Sequence, residues 1–198
     1  MNFRVTPGVL IPRPETEELV ALIIKENRGT LRILDIGTGS GCIAISLAKH
    51  IPQATVSAWD ISEEALTIVQ ENNKRLGTDV TFYKKDVLNT PSCEEEYDVI
   101  VSNPPYVTEA EREEMEARVT DWEPGIALFV SNNDPLCFYR HIARLGKELL
   151  PAKGKLYFEI NQAYGEETSR MLREQAGYRN VRIIKDLFGK DRIVTAER

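Results

Sequence analysis

Cysteine is scarce in this chain: three in 198 residues, Cys42, Cys93 and Cys137, widely spaced and with no CxxC pair. A disulfide scaffold or structural zinc cluster needs paired thiols, so both are disfavoured and reduced cysteines in a cytoplasmic protein are expected. Histidine is scarcer still, with His50 and His141 alone and neither beside a cysteine, so no metal site is expected. Long apolar runs are missing too. The longest, Leu19 to Ile24, has six residues, far too few to cross a bilayer, and no secretion signal opens the chain. Excess positive charge is also lacking: 25 Lys and Arg against 31 Asp and Glu give a formal net charge of -6. Nucleic-acid binders draw most of their affinity from neutralising phosphates, so a nucleic-acid partner is not expected.

What the chain does contain is a regular alternation. After an extended segment over residues 1–12, a helix is predicted from Pro14 to about Asn27, with proline and three glutamates in its first turns. Strands are predicted at Arg32–Gly37, Thr55–Asp60, Val80–Asp86, Tyr97–Asn103 and Lys155–Ile160. Helical periodicity fills the gaps: Ile43 to Ile51, a helix capped by Ser62 and closed by Gly77, one spanning Leu136 to Leu150, and one from about Tyr164 to Ala176. A polar stretch from Thr108 to Asp121 reads as a helical insertion. Such alternation gives a parallel sheet covered by helices on both faces. The last two strands, from Val181 and Arg192, are joined by only Leu187 to Asp191, too little for a crossover, so they form an antiparallel hairpin. With no repeat or linker, one domain over residues 1–198 is expected.

Four strand ends carry the chemistry. Asp35 to Gly41 (DIGTGSG) runs from a strand into a glycine loop and then a helix. Glycines let backbone approach a ligand closely, and Gly37, Thr38, Gly39, Ser40 and Gly41 are candidate cofactor residues. The GxGxG spacing departs from the dinucleotide fingerprint GxGxxG, which needs glycine where Cys42 stands; the plain alternative is a tight turn without a ligand. Asp60 ends the second strand, where a carboxylate can accept hydrogen bonds from both ribose hydroxyls, or merely precede a helix start. Asp86 ends the third strand, where it or Val87 could meet an adenine ring, or simply face solvent.

Asn103-Pro104-Pro105-Tyr106 ends the fourth strand. The prolines fix the backbone and remove donors, leaving oriented carbonyls, and Asn103 adds a side-chain oxygen. A planar –NH2 has two protons for two such acceptors, and Tyr106 could pack its ring over it. Asn103, Pro104 and Tyr106 are therefore catalytic candidates, and all four residues substrate-binding ones. A rigid turn is the simpler alternative. The same tetrapeptide geometry suits the exocyclic amine of adenine.

Val9 to Val20 (VLIPRPETEELV), Asp35 to Ala48, Val101 to Tyr106 and Trp122 to Phe129 (WEPGIALF) together resemble the release-factor glutamine-N5 methyltransferases, the HemK family. The resemblance covers nearly the whole chain. It implies a class I methyltransferase-like (Rossmann-type) three-layer α/β fold, with a mostly parallel seven-stranded sheet of order 3-2-1-4-5-7-6. It also implies S-adenosylmethionine as cofactor, S-adenosylhomocysteine as product, and no metal. The implied substrate is the glutamine of the Gly-Gly-Gln motif of bacterial peptide chain release factors, with a monomeric enzyme. By position, Asp60, Asp86 or Val87, the glycine loop and Asn103 would meet the cofactor, and Pro12 to Glu17 would line the pocket mouth. Alternatives are a ribosomal-protein glutamine methyltransferase and an adenine-N6 methyltransferase. Only eleven residues precede Pro12, whereas family members usually carry a helical domain there, so the catalytic domain alone is expected. Ser131, Asn132, Asn133, Pro135 and Asn161 stand where the family tends to have glycine.

Overall fold

The computed structural model describes residues 1–89, 95–108, 129–130 and 134–198. The helical insertion expected after the fourth strand lies outside them apart from Thr108, as do Trp122 and Ser131 to Asn133.

Helix α1 (Pro14–Glu26) precedes β1 (Arg32–Ile36), α2 (Cys42–His50), β2 (Thr55–Asp60), α3 (Glu63–Leu76), β3 (Val80–Lys84) and β4 (Val99–Ser102). Two-residue strands β5 (Val107–Thr108) and β6 (Phe129–Val130) follow, then α4 (Cys137–Leu149) and β7 (Lys155–Glu159). The chain closes with α5 (Gly165–Arg170), β8 (Arg179–Lys185) and β9 (Asp191–Glu197). The sheet runs β3-β2-β1-β4-β7-β9-β8. Setting aside β5 and β6, which form a separate parallel pair, this is the expected order 3-2-1-4-5-7-6. Strands β3, β2, β1, β4 and β7 are parallel; β9 pairs antiparallel with both β7 and β8.

Side chains alternate across a strand, so each central strand feeds two cores. Ile33, Val99, Val101, Tyr157 and Ile193 face Leu19 and Ile23 of α1 and Ile43 and Leu47 of α2. Leu34, Ile100, Leu156, Phe158 and Val194 face Tyr139, Ile142 and Leu149 of α4, and Met171 and Leu172. Helices thus cover both faces, which is why the sheet needs no polar side.

Local signals explain the boundaries. Pro14 begins α1, where its missing N–H costs nothing. Ser62 caps α3, its hydroxyl accepting from the Ala65 amide at 3.2 Å. The β8–β9 turn is braced by Asp186, whose Oδ1 accepts from the Phe188 and Lys190 amides at 2.9 and 3.0 Å. The helix foreseen from about Tyr164 to Ala176 is not uniform. It opens as a 3₁₀ turn (Gln162–Tyr164), continues as α5 and ends as a π-turn (Met171–Gln175). Asn161, where glycine was expected, has an ordinary φ of -65°; its Oδ1 accepts from Ala163 and caps that turn. No left-handed backbone is required there.

Candidate functional site

Strand register brings the predicted residues into one row. Ile36 pairs with Trp59 on one side and Ser102 on the other, and Asp60 pairs with Lys84. The residues that leave these strands (Gly37, Asp60, Lys85 and Asn103) therefore emerge side by side at the carboxyl edge of the sheet. This is where open α/β sheets bind ligands. A cleft of about 280 Å³ lies there, near the lower end of the usual range for small-molecule sites. Gly37, Thr38, Gly39, Ser40, Asp60, Asp86, Val87, Asn103, Pro104 and Pro105 all line it. Gly41 and Tyr106 are not among its lining residues, and of Pro12 to Glu17 only Pro12 and Thr16 are.

The glycine loop is tied down from two sides. Its Gly37 and Thr38 amides donate to the Trp59 carbonyl at 2.9 and 3.1 Å, and the Gly39 amide donates to Asp60 Oδ2 at 2.9 Å. Asp35, fully buried, accepts from the Thr38 hydroxyl at 2.7 Å and the Ala44 amide at 3.2 Å, clamping the loop to α2. Burial pushes its carboxyl up to about 7, against the pull of those two hydrogen bonds. Three successive loop amides are thus already engaged, two by a carbonyl and one by a carboxylate. A phosphate cradle needs such amides free. The three engaged amides therefore do not form a phosphate cradle. Gly41 plays a different part. It precedes α2 with φ 82°, and its α-carbon faces Val69 and Ile45 rather than the cleft.

Asp60 braces the opposite wall. Its Oδ1 accepts from the Ser62 amide at 2.9 Å while Oδ2 holds Gly39. Burial raises its carboxyl, countered by backbone amides of Ser62, Gly39 and Ile61. A carboxylate has about four lone-pair sites, so with three backbone amides engaged one remains for a ligand hydroxyl. Across the cleft, Asn103 Nδ2 lies 3.5 Å from Thr16 Oγ1. Asn103 Oδ1 is shielded from water and has no hydrogen-bond partner among the described residues. An unpaired buried acceptor costs about 1–3 kcal/mol, which is recovered when a ligand donor arrives. Tyr106 turns away from the cleft: its hydroxyl stands 3.5 Å from Glu159 Oε1, and its ring packs on the core beneath α4.

The family model described as Methyltransferase small domain matches residues 15–120. A release factor glutamine methyltransferase of Bacteroides thetaiotaomicron is 65% identical over 198 residues, all of this chain and 71% of the relative. One from Flavobacterium psychrophilum is 50% identical, over 98% of this chain and 70% of the relative. The chain belongs to the release factor glutamine methyltransferase family. A solved protein-(glutamine-N5) methyltransferase (release factor-specific) from Alicyclobacillus acidocaldarius is 29% identical, with a TM-score of 0.57 over 95% of this chain and 94% of that one.

Several residues that line the cleft carry no motif in the sequence. Trp59 stacks beneath Lys85, whose Nζ is 4.0 Å from the ring centroid, and both border the cleft. The signal was present, since Trp59 directly precedes Asp60, but strand alternation suggested a core residue only. Phe138 and Ile142 reach the cleft from α4, where their helical spacing reads equally as core. Pro12 and Thr16 are the cleft-lining residues of the PRPETE segment. Cys42 also lines it, but burial pushes its thiol up to about 12, so it stays protonated and unreactive. Among the described residues no cluster of His, Cys, Asp and Glu could hold a metal, and no helix is long and apolar enough to cross a membrane.

Proposed function

We propose that this chain transfers a methyl group from S-adenosylmethionine to the side-chain amide nitrogen of a glutamine, the one in the Gly-Gly-Gln motif of a peptide chain release factor. The observation that carries this reading is the unpaired Asn103 Oδ1 in a cleft shared with a glycine loop whose Gly37, Thr38 and Gly39 amides are already engaged, in a chain 65% identical to a release factor glutamine methyltransferase.

The residues suit such a cofactor. Asp60 keeps one acceptor site for a ribose hydroxyl, and the Gly37–Gly39 stretch leaves open space in which a methionine moiety can lie against backbone. Lys85, Asp86 and Val87 border the base. When bound, the cofactor supplies an already activated methyl group.

What remains for the protein is orientation. An amide nitrogen is a weak nucleophile because its lone pair is delocalised into the carbonyl. Asn103 Oδ1 and the Pro104 carbonyl accept the two –NH2 protons, which holds the group in line and stabilises the positive charge growing on nitrogen. Pro105 stiffens the turn. No general base is required, since the methylated product sheds its proton to water. The enzyme is a cytoplasmic monomer on this reading.

Incubation with methyl-labelled cofactor and, in parallel, release factor, ribosomal proteins and unmethylated DNA tests the proposal. Label on the release-factor glutamine supports it. Label confined to another acceptor refutes the assignment of substrate.

A further inference from the structure

The strand register that lines up the cleft also sets Glu159 beside Asn103, because Ser102 of β4 pairs with Phe158 of β7. The first turn of α1 lays Thr16 across both. We propose that Thr16 and Glu159 form a positioning relay that orients the Asn103 carboxamide, and so decides whether the substrate amide is gripped. The inference rests on the role given to Asn103 above.

Thr16 Oγ1 donates to Glu159 Oε2 at 2.7 Å, with both residues buried. A hydroxyl has one proton, and an ionised carboxylate can only accept. With its proton committed to Glu159, Thr16 has only lone pairs to offer Asn103. The carboxamide must then turn its nitrogen toward Thr16, which is the arrangement observed at 3.5 Å. Because the carboxamide is planar, its oxygen points the other way, unpaired. Reversed, Asn103 would set its own –NH2 against the substrate –NH2, two donors with no acceptor between them.

Glu159 is held for this task. Its side chain also faces the Tyr106 hydroxyl at 3.5 Å, and its backbone carbonyl accepts from Tyr139 at 3.1 Å. Burial raises its carboxyl, while Thr16 and the charge of Arg192 favour the ionised form. A carboxylate at 1% exposure is costly where an apolar residue would be cheaper to bury. A role in orienting Asn103 accounts for that cost.

The test compares Thr16→Val, Thr16→Ser and Glu159→Gln by steady-state methyl transfer, S-adenosylhomocysteine calorimetry and side-chain 15N spectra. Valine keeps the shape of threonine without its hydroxyl, and serine restores the hydroxyl. Glutamine can donate to Thr16, releasing the threonine proton toward Asn103 and permitting the flip. T16V and E159Q should lower kcat about a hundredfold, the scale of a small misplacement of reacting groups. KM for the protein and affinity for S-adenosylhomocysteine should stay within about threefold, which also shows that the variants fold. T16S should keep kcat near wild type. The Asn103 –NH2 signals, assigned through their loss in Asn103→Asp, should move in T16V and E159Q but not in T16S. Wild-type kcat in T16V, or T16S failing as T16V does, overturns the relay. Should the wild-type chain methylate no glutamine at all, the proposed substrate is wrong. The spectra still decide orientation in that case, and unmoved Asn103 signals in T16V overturn the relay independently.

Discussion

Gly39 and Gly41 stand two residues apart in one motif, yet substituting each by alanine should break different things. A Cβ on Gly41 would lie 2.3 Å from Val69 Cγ2 and 2.9 Å from Ile45 Cδ1, at φ +82°. Left-handed backbone costs an L-residue roughly 1–2 kcal/mol, and overpacking a buried site roughly 1–3 kcal/mol more. For G41A the sum is about 2–5 kcal/mol, or roughly 4–20 °C in Tm for a chain of this size. A Cβ on Gly39 meets nothing within 4 Å, at φ +54°. Only the backbone term remains, about 1–2 kcal/mol or roughly 2–8 °C. That Cβ would project where Gly39 lines the cleft, so G39A should weaken S-adenosylhomocysteine binding by roughly 1–3 kcal/mol, about 5- to 150-fold. Thermal unfolding and calorimetry on both variants separate the two. G41A should melt earlier than G39A yet bind nearly as wild type below its transition; G39A should lose less in Tm and bind poorly. The reverse ranking would refute the division of the loop into a cleft-facing and a core-facing part.

Asp60→Asn replaces one acceptor with a donor facing either Gly39 or Ser62; S-adenosylhomocysteine affinity should fall by about 1.5–3 kcal/mol, roughly 10- to 150-fold, by calorimetry, and unchanged affinity would remove Asp60 from the site. Asp35 binds its proton more tightly in the folded chain, its carboxyl standing at about 7 against an ordinary 3.8. Its contribution to stability is therefore full below about pH 4 and lost as pH rises through about 7. Urea unfolding of wild type relative to Asp35→Asn should show a difference that shrinks across that window, and a flat difference would contradict it. Tyr106→Phe removes only a long hydroxyl contact with Glu159, so kcat should stay within about threefold of wild type; a loss of about a hundredfold would show that the hydroxyl acts in turnover.

Legibility in the sequence followed the range of the interactions involved. The alternation of strands and helices, the closing hairpin, the Ser62 cap and the row of strand ends were readable, because each rests on local periodicity or a motif at a strand terminus; the full sheet order followed from the family resemblance. Asp60 and Asn103 could be located for that reason. Thr16 and Glu159 lie 143 residues apart; the register between β4 and β7 sets Glu159 beside Asn103, whereas Thr16, within the segment read as lining the pocket mouth, comes from the first turn of α1, and no local pattern carries their meeting. The β5–β6 pair, two residues per strand, is too short for alternation to register. The tightening and loosening of the helix from Gln162 to Gln175 depends on how Met171 and Leu172 seat against the sheet, a tertiary effect that propensity does not encode. Tyr106, read as a ring for the substrate because it ends a motif, packs on the core with its hydroxyl 3.5 Å from Glu159 Oε1, a long-range contact no local pattern shows.

The account turns on where a glutamine side chain sits. A crystal structure with S-adenosylhomocysteine and a Gly-Gly-Gln peptide measures this directly. The amide nitrogen should lie within hydrogen-bond distance of both Asn103 Oδ1 and the Pro104 carbonyl, with its free face toward the cofactor sulfur. A glutamine bound elsewhere, with Asn103 Oδ1 still unpaired or given to a cofactor group, would contradict it.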